Sequence, residues 1–323
     1  MTVNLPSSSK DHTLDITAVD GKTGFVDRAF SWLVYLAVLL AVSLLLQITV
    51  VIGSQAGEAF QQFGLGFIVS QEWDVPNNLF GALPYIYGSL VSSAIAILLA
   101  IPIALSVAIV TSEDFLPPWV RTPISFIVEL LAAIPSVIVG LWGIFVLIPT
   151  LVPIATWLNQ TLGWIPLFST EPLGPGLLPA GVILAIMIIP TIASISREVL
   201  LAVPPQLRSA SMALGGTRWE TIFRVILPAA TSGILGAGIL GLGRAIGETM
   251  AVTMVIGNSP QISASLLDIA SSIPAVLANE FAEALEGLHV SSLMYLALIL
   301  FGLTLVVNIL AVTLVRVISN KGS

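Results

Sequence analysis

Six apolar runs, each long enough to cross a bilayer, constrain this chain more than anything else in it. They fall at about 29–53, 84–110, 122–150, 177–196, 229–257 and 291–315. A helix needs only about 20 residues to span the hydrocarbon layer. Inside lipid the backbone must satisfy its own hydrogen bonds, so such runs are helices. The remainder agrees: 56% of the residues are hydrophobic and only 9% charged, which is not the composition of a soluble domain. The expected fold class is an all-α polytopic membrane protein with six transmembrane helices, and the lipid bilayer is its first partner.

Basic residues stay on the cytoplasmic side of a membrane. With the N-terminus inside, Lys10, Lys22, Arg28, Arg121, Arg197, Arg208, Arg218, Arg224, Arg316 and Lys321 all lie there. Arg244 falls within a span and no basic residue is left outside. Both termini and the segment 197–228 are therefore expected in the cytoplasm. Glu58, Glu72, Asp74, Glu171, Asp268, Glu280, Glu283 and Glu286 face outward without a basic partner. That distribution argues against a nucleic-acid partner. The chain has no cysteine, hence no disulfide framework.

In order, residues 1–28 read as a mobile cytoplasmic tail. Gly21-Lys22-Thr23 is not a phosphate loop, because Ile16 stands where that loop needs glycine. The first span, 29–53, is too long for a cleavable signal peptide. An outer loop, 54–83, precedes a five-span core, 84–316, and a cytoplasmic tail, 317–323. Pro102, Pro135 and Pro190 sit near the middle of the second, third and fourth spans, where they kink a gated bundle or simply pack within it. Asn159-Gln160-Thr161 is a formal glycosylation sequon in the second outer loop. The third outer loop, 258–290, predicts two short amphipathic helices around Pro274. They form a landing surface for a soluble partner or cover the mouths of the spans.

Two features between Ser209 and Glu248 carry the chemistry. The first is a polar cytoplasmic handle expected to stop at Pro228. Gly215-Gly216 allows a sharp turn, Leu214, Trp219, Ile222 and Phe223 can face the membrane part or a partner's groove, and Arg218 stays wet. The second is the fifth span, where small residues recur four apart, as Gly233-Ala237-Gly241 and Gly243-Gly247. Gly233, Gly241, Gly243 and Gly247 are expected to contact a second membrane subunit, since such spacing lets helices approach. Arg244 and Glu248 are also four apart and can pair on one face. Ions inside a membrane are functional candidates, so the pair either serves a passing anion or ties helices together. Glu129 is a candidate third member. No catalytic or metal constellation exists, since the histidines are only His12 and His289. No cofactor is expected on this chain. A stand-alone channel or secondary transporter would have no use for the handle.

Ala210, Gly215, Leu227 and Pro228 fall where the permease loop of bacterial ABC importers has its alanine, central glycine and closing Leu-Pro. Ser209 and Ser211 replace that loop's usual Glu and second Ala. Gly243–Val252 (GRAIGETMAV), 80–88 (FGALPYIYG) and 129–143 (ELLAAIPSVIVGLWG) resemble the phosphate-specific branch, and its PstC-type rather than PstA-type members. The resemblance implies a type I importer permease fold, a bacterial plasma (inner) membrane location and inorganic phosphate as substrate. It implies a PstA-like second permease, two PstB-like ATPase subunits and an extracytoplasmic PstS-like binding protein as partners. In the family, the segment containing Ala210, Leu214, Gly215, Gly216, Arg218, Trp219, Leu227 and Pro228 couples to the ATPase. Sulfate or molybdate permeases, and less readily a secondary anion transporter, remain alternatives.

Overall fold

The computed structural model describes residues 21–284 and 287–321, and its regular structure is helical apart from two isolated bridges, Asp74 with Leu79 and Gly257 with Ala270. Of the tail expected over 1–28, residues 1–20 with His12 and Ile16 lie outside the described residues, as do Leu285, Glu286 and residues 322–323. Residues 21–28 are helical and not a tail. The chain divides into two units, Met1–Val51 and Ile52–Ser323. In the first, α1 (Gly21–Gln55) begins. Its Phe30, Trp32, Leu36, Leu39 and Leu46 are exposed, as suits a helix facing hydrocarbon.

The second unit continues with α2 (Gly57–Phe63), α3 (Gly66–Val69), α4 (Leu83–Ser112), α5 (Pro118–Ala132), α6 (Ser136–Trp142) and α7 (Ile148–Leu162). It ends with α8 (Leu177–Ala202), α9 (Pro205–Ala213), α10 (Arg218–Thr221), α11 (Leu227–Gly247), α12 (Met250–Val255), α13 (Ile273–Glu280) and α14 (Leu288–Lys321). Among the described residues, six helical stretches are long and apolar enough to cross a membrane: Asp27–Gln55, Leu83–Ser112, Ser136–Leu162, Leu177–Ala202, Arg218–Gly247 and Leu288–Arg316. The six-span expectation holds, but the third and fifth spans move.

The most extensive helix pairing is α4 with α8. Ala96, Ala100 and Ala104 recur every fourth residue on α4 and are fully buried in one core with Ile183, Leu184, Ile188 and Ile192 of α8. Small side chains at this spacing let two membrane helices approach. Both helices continue through their prolines, Pro102 and Pro190.

Pro135 acts differently. The sequence predicts a third span over 122–150 kinked there; the structure breaks the chain instead. Ala133 closes α5, and Pro135 precedes α6 with extended ψ of 136°. A proline ring disfavours helical backbone in the residue before it, so Ile134 belongs to neither helix. The span restarts at Ser136 and reaches Leu162. Asn159 therefore lies on α7 rather than in a loop, and its Nδ2 donates to the carbonyls of Phe168 (2.8 Å) and Thr170 (3.0 Å).

The fifth span corrects the expectation that the handle stops at Pro228. Helix runs on from Arg218 through Pro228 because residues Ile222–Ile226 form a π-turn, closed by Leu227 N–H on the carbonyl of Ile222. The same device occurs at Gly143–Leu147, where Ile148 N–H reaches the carbonyl of Gly143 and Pro149 follows. A proline inside a regular helix clashes with the carbonyl four residues back, at a cost of about 3 kcal/mol or more. A wide turn immediately before it moves that carbonyl away. The predicted far end of the span changes as well. α11 ends at Gly247, Glu248 is extended (ψ 123°), and α12 starts afresh at Met250.

Among the described residues of the third outer loop, α13 is one helix, not two. Ser272 caps it by accepting from Ala275 N–H (3.3 Å), and Ile273, Pro274, Ala275 and Val276 are buried rather than lying on a membrane surface. Ile273 and Val276 join Phe67, Phe80, Tyr85, Leu293 and Leu296 in a second core that ties α3, α4, α13 and α14 together, while Ala275 faces the first core.

Candidate translocation site and coupling segment

Arg244 lies three residues before the end of α11 and is half-buried. Its Nη1 donates to Thr191 Oγ1 of α8 at 3.1 Å. Among the described residues no ion pair joins it to Glu248. The predicted i, i+4 pair needs unbroken helix, and the helix ends at Gly247, so Glu248 leaves the register that would align the two. Glu248 is half-buried at the break between α11 and α12. Arg244 thus meets a neutral hydroxyl instead of a carboxylate, and the guanidinium's remaining donors have no protein partner among the described residues.

The break at Glu248–Thr249 matches the break at Ala133–Pro135, because the two half-helices that follow pack together. A side chain on Gly140 of α6 would meet Met254 Sδ at 2.5 Å and the Cα of Ala251 at 3.2 Å, both on α12. Broken helices in a membrane are tolerated where they are buried in protein or line a cavity.

Glu129 does not join Arg244. It sits on α5, before the break and outside the third span, and is exposed. Together with Ser125, Ser194, Arg197 and Glu198 it lines a chamber of about 30 Å³ between α4, α5 and α8. Arg197 there makes only a long bond, Nε to the carbonyl of Thr111 at 3.4 Å. Thr191 and Arg197 escape sequence reasoning. The first is one threonine among many, and the second counts only toward orientation.

Of the glycines expected at a second permease, two are used within the chain. A Cβ at Gly233 would strike Val199 at 2.5 Å and one at Gly241 would strike Ile192 at 2.7 Å, both on α8. Gly243 lies opposite Asn308 of α14 at 3.9 Å, and Gly247 is open. The glycine spacing does serve close helix approach, but at Gly233 and Gly241 the neighbour is α8.

The handle folds as helix, turn, helix. Gly215 has φ +87°, a left-handed conformation that costs a side-chain-bearing residue. Its N–H bonds the carbonyl of Met212 (3.0 Å) and that of Gly216 bonds Ser211 (3.1 Å), closing α9. Thr217 then opens α10 with a capping box: Glu220 N–H donates to Thr217 Oγ1, and Thr217 N–H donates to Glu220 Oε2. Leu214 is 91% exposed, and Ala210, Gly215, Trp219 and Phe223 are exposed beside it. Ile222 turns inward and is buried, Leu227 is half-buried and Pro228 exposed.

Two arginines fasten this unit to the loop after α4. Arg208 holds Glu113 Oε1 at 2.9 Å and also donates to the carbonyls of Leu200 (2.8 Å) and Val203 (2.7 Å). Leu200's carbonyl otherwise accepts a long bond from Val203 N–H (3.4 Å), and both carbonyls lie at the end of α8, where a cation is favourable. Arg218, expected to stay wet, is exposed but donates to the carbonyl of Asp114 (3.1 Å), while Trp219 lies against Phe115 with ring centres 5.1 Å apart. An exposed apolar cap on a clamped base can receive another protein and pass displacement to α4 and α8.

Residues 100–321 match the family of binding-protein-dependent transport system inner membrane components. A curated phosphate transport system permease protein PstC of Xylella fastidiosa is 46% identical over 269 residues, covering 82% of each chain. That of Mesorhizobium japonicum is 42% identical over 322 residues, covering 98% of this chain and 96% of the relative. Among solved structures, a bacterial ABC transporter involved in the import of the acidic polysaccharide alginate superposes with TM-score 0.61 over 90% of this chain and 98% of the other, at 18% identity. That likeness speaks for the fold alone.

Proposed function

The chain belongs to the binding-protein-dependent transport system inner membrane components, and from that premise we propose that it is the PstC-like permease subunit of an ATP-driven importer of inorganic phosphate. The observation that carries the anion is Arg244. It is a cation within a membrane span that bonds a neutral threonine and keeps donors free. An unpaired arginine at mid-membrane costs about 2.5–3.5 kcal/mol on insertion scales. A cost of that size is retained where the charge works. Phosphate passing the break at Glu248–Thr249 would exchange hydration for the guanidinium fork. Glu248, close in sequence but not bonded to it, would keep the anion from lodging, since conduction needs a site the ion can leave.

Energy comes from elsewhere. The exposed cap around Leu214, Gly215, Gly216 and Trp219 would seat in a PstB-like ATPase, one of two copies. A PstA-like permease would complete the pathway, and a PstS-like binding protein would deliver phosphate from outside. ATP binding would draw the coupling segments together and open the pathway outward, and hydrolysis would reset it inward. The one-sided placement of basic residues supports cytoplasmic termini.

Radiolabelled phosphate uptake tests the reading in cells that express the chain with or without its ATPase and binding protein. Uptake should require both. Uptake that survives loss of the ATPase would favour a secondary transporter.

A further inference from the structure

A well on the outer face is not used by anything above. It holds about 250 Å³ and is lined by Trp73, Tyr85, Asn258, Ser271, Asn279 and Glu280, among others. Asn258 and Asn279 are exposed at its mouth, while Tyr85 and Ser271 are only 1% and 2% exposed at its floor. The walls are rigid. Trp73 packs edge-on against both Tyr85 and Phe80 at 5.0 Å, and Phe80 stacks on His289 at 5.6 Å.

Its polar groups are fixed but unspent. Trp73 Nε1 donates to Glu280 Oε2 at 3.0 Å, and His289 Nε2 lies 3.0 Å from the same oxygen. Both contacts go to Oε2, which leaves Oε1 without a hydrogen-bond partner among the described residues. The Tyr85 and Ser271 hydroxyls likewise have no hydrogen-bond partner there, and they open onto the well instead of being sealed inside the fold. Buried polar groups of folded proteins are almost always bonded to something. Two hydroxyls and a carboxylate oxygen left open around one cavity therefore offer acceptors to a donor from outside. The carboxylate and the indole and phenol walls select a cation, which aromatic faces also attract.

We propose that this well receives a lysine or arginine side chain of the extracytoplasmic binding protein and so anchors that protein on the permease. The inference rests on the importer reading above. Charge supports this occupant: residues 54–83, 163–176 and 257–290 contain eight acids and no lysine or arginine. A docking partner with a basic rim is attracted to such a face and oriented by it. The anchor is a long side chain, whose apolar stem can follow Trp73 and Val276 while its head reaches Glu280.

The test is the equilibrium affinity of the phosphate-loaded binding protein for the complete transporter, both permeases and ATPases, held in nanodiscs. Glu280→Gln should weaken docking about tenfold or more, because it strands the partner's cation, and should flatten the salt dependence. Tyr85→Phe and Ser271→Ala remove hydroxyls that bond nothing within the fold, so both variants should assemble normally. Each should weaken docking by about threefold, the worth of one hydrogen bond. Affinities within twofold of wild type for both Glu280→Gln and Tyr85→Phe would overturn the anchor while leaving the importer reading intact. A wild-type transporter that does not bind the loaded protein at all would overturn both.

Discussion

At the scale of residues, the absent bond between Arg244 and Glu248 changes what mutation should do. Were the two a mutually neutralised tie, removing both would be milder than removing one, since a lone buried charge is the costly state. With Arg244 on Thr191 instead, Glu248 gains nothing from the loss of Arg244. Arg244→Gln should abolish phosphate uptake at normal membrane abundance. Arg244→Lys should retain little, because it keeps charge but loses the planar fork. The double variant Arg244→Gln with Glu248→Gln should be inserted but inactive. Near-normal uptake in the double variant would remove Arg244 from the pathway.

At the scale of elements, the coupling segment depends on one backbone angle. Gly215→Val or Gly215→Asp must adopt φ +87° against steric resistance, although open space surrounds the missing side chain. The expected outcome is an inserted protein that loses uptake while the ATPase continues to hydrolyse; coupled uptake at normal abundance would contradict it. This turn was legible in the sequence, because paired glycines in a polar segment between two apolar spans have few other uses. The span count was legible too, because hydropathy reports length and polarity. It could not say which part of the apolar stretch from 122 to 162 crosses the membrane. That choice is made at Pro135, and a proline that breaks a helix looks in sequence like one that a helix accommodates, as Pro102 and Pro190 show. The Arg244–Glu248 pair was misread for a related reason: spacing implies a shared face only while the helix lasts, and nothing before Glu248 announces the break. Gly233 and Gly241 have the right spacing for close approach, but spacing does not name the neighbour.

At the scale of the whole molecule, orientation can be checked with the chain's own lack of cysteine. A cysteine at Ala264, exposed in the outer loop, should react with an impermeant thiol reagent on intact cells; one at Ser209, exposed on α9, should react only after lysis. The reverse pattern would invert the protein and place the handle outside. Between these two faces a single helical path runs from Arg218 to Gly247, about 39 Å from Arg218 to Arg244 at 1.5 Å per residue. The π-turn at Ile222–Ile226 lies on that path and inserts, in effect, one extra residue. Each residue of an α-helix turns the axis by about 100°, so the wide turn also sets an angle. It decides which way Arg244 points, twenty residues downstream, when α10 is seated against its neighbours. Excising one residue there would rebuild an ordinary helix of nearly the same length, yet swing the guanidinium about a quarter turn off Thr191. The insertion thus works as a phase adjustment, aligning the handle at one end of a shaft with the charge near the other.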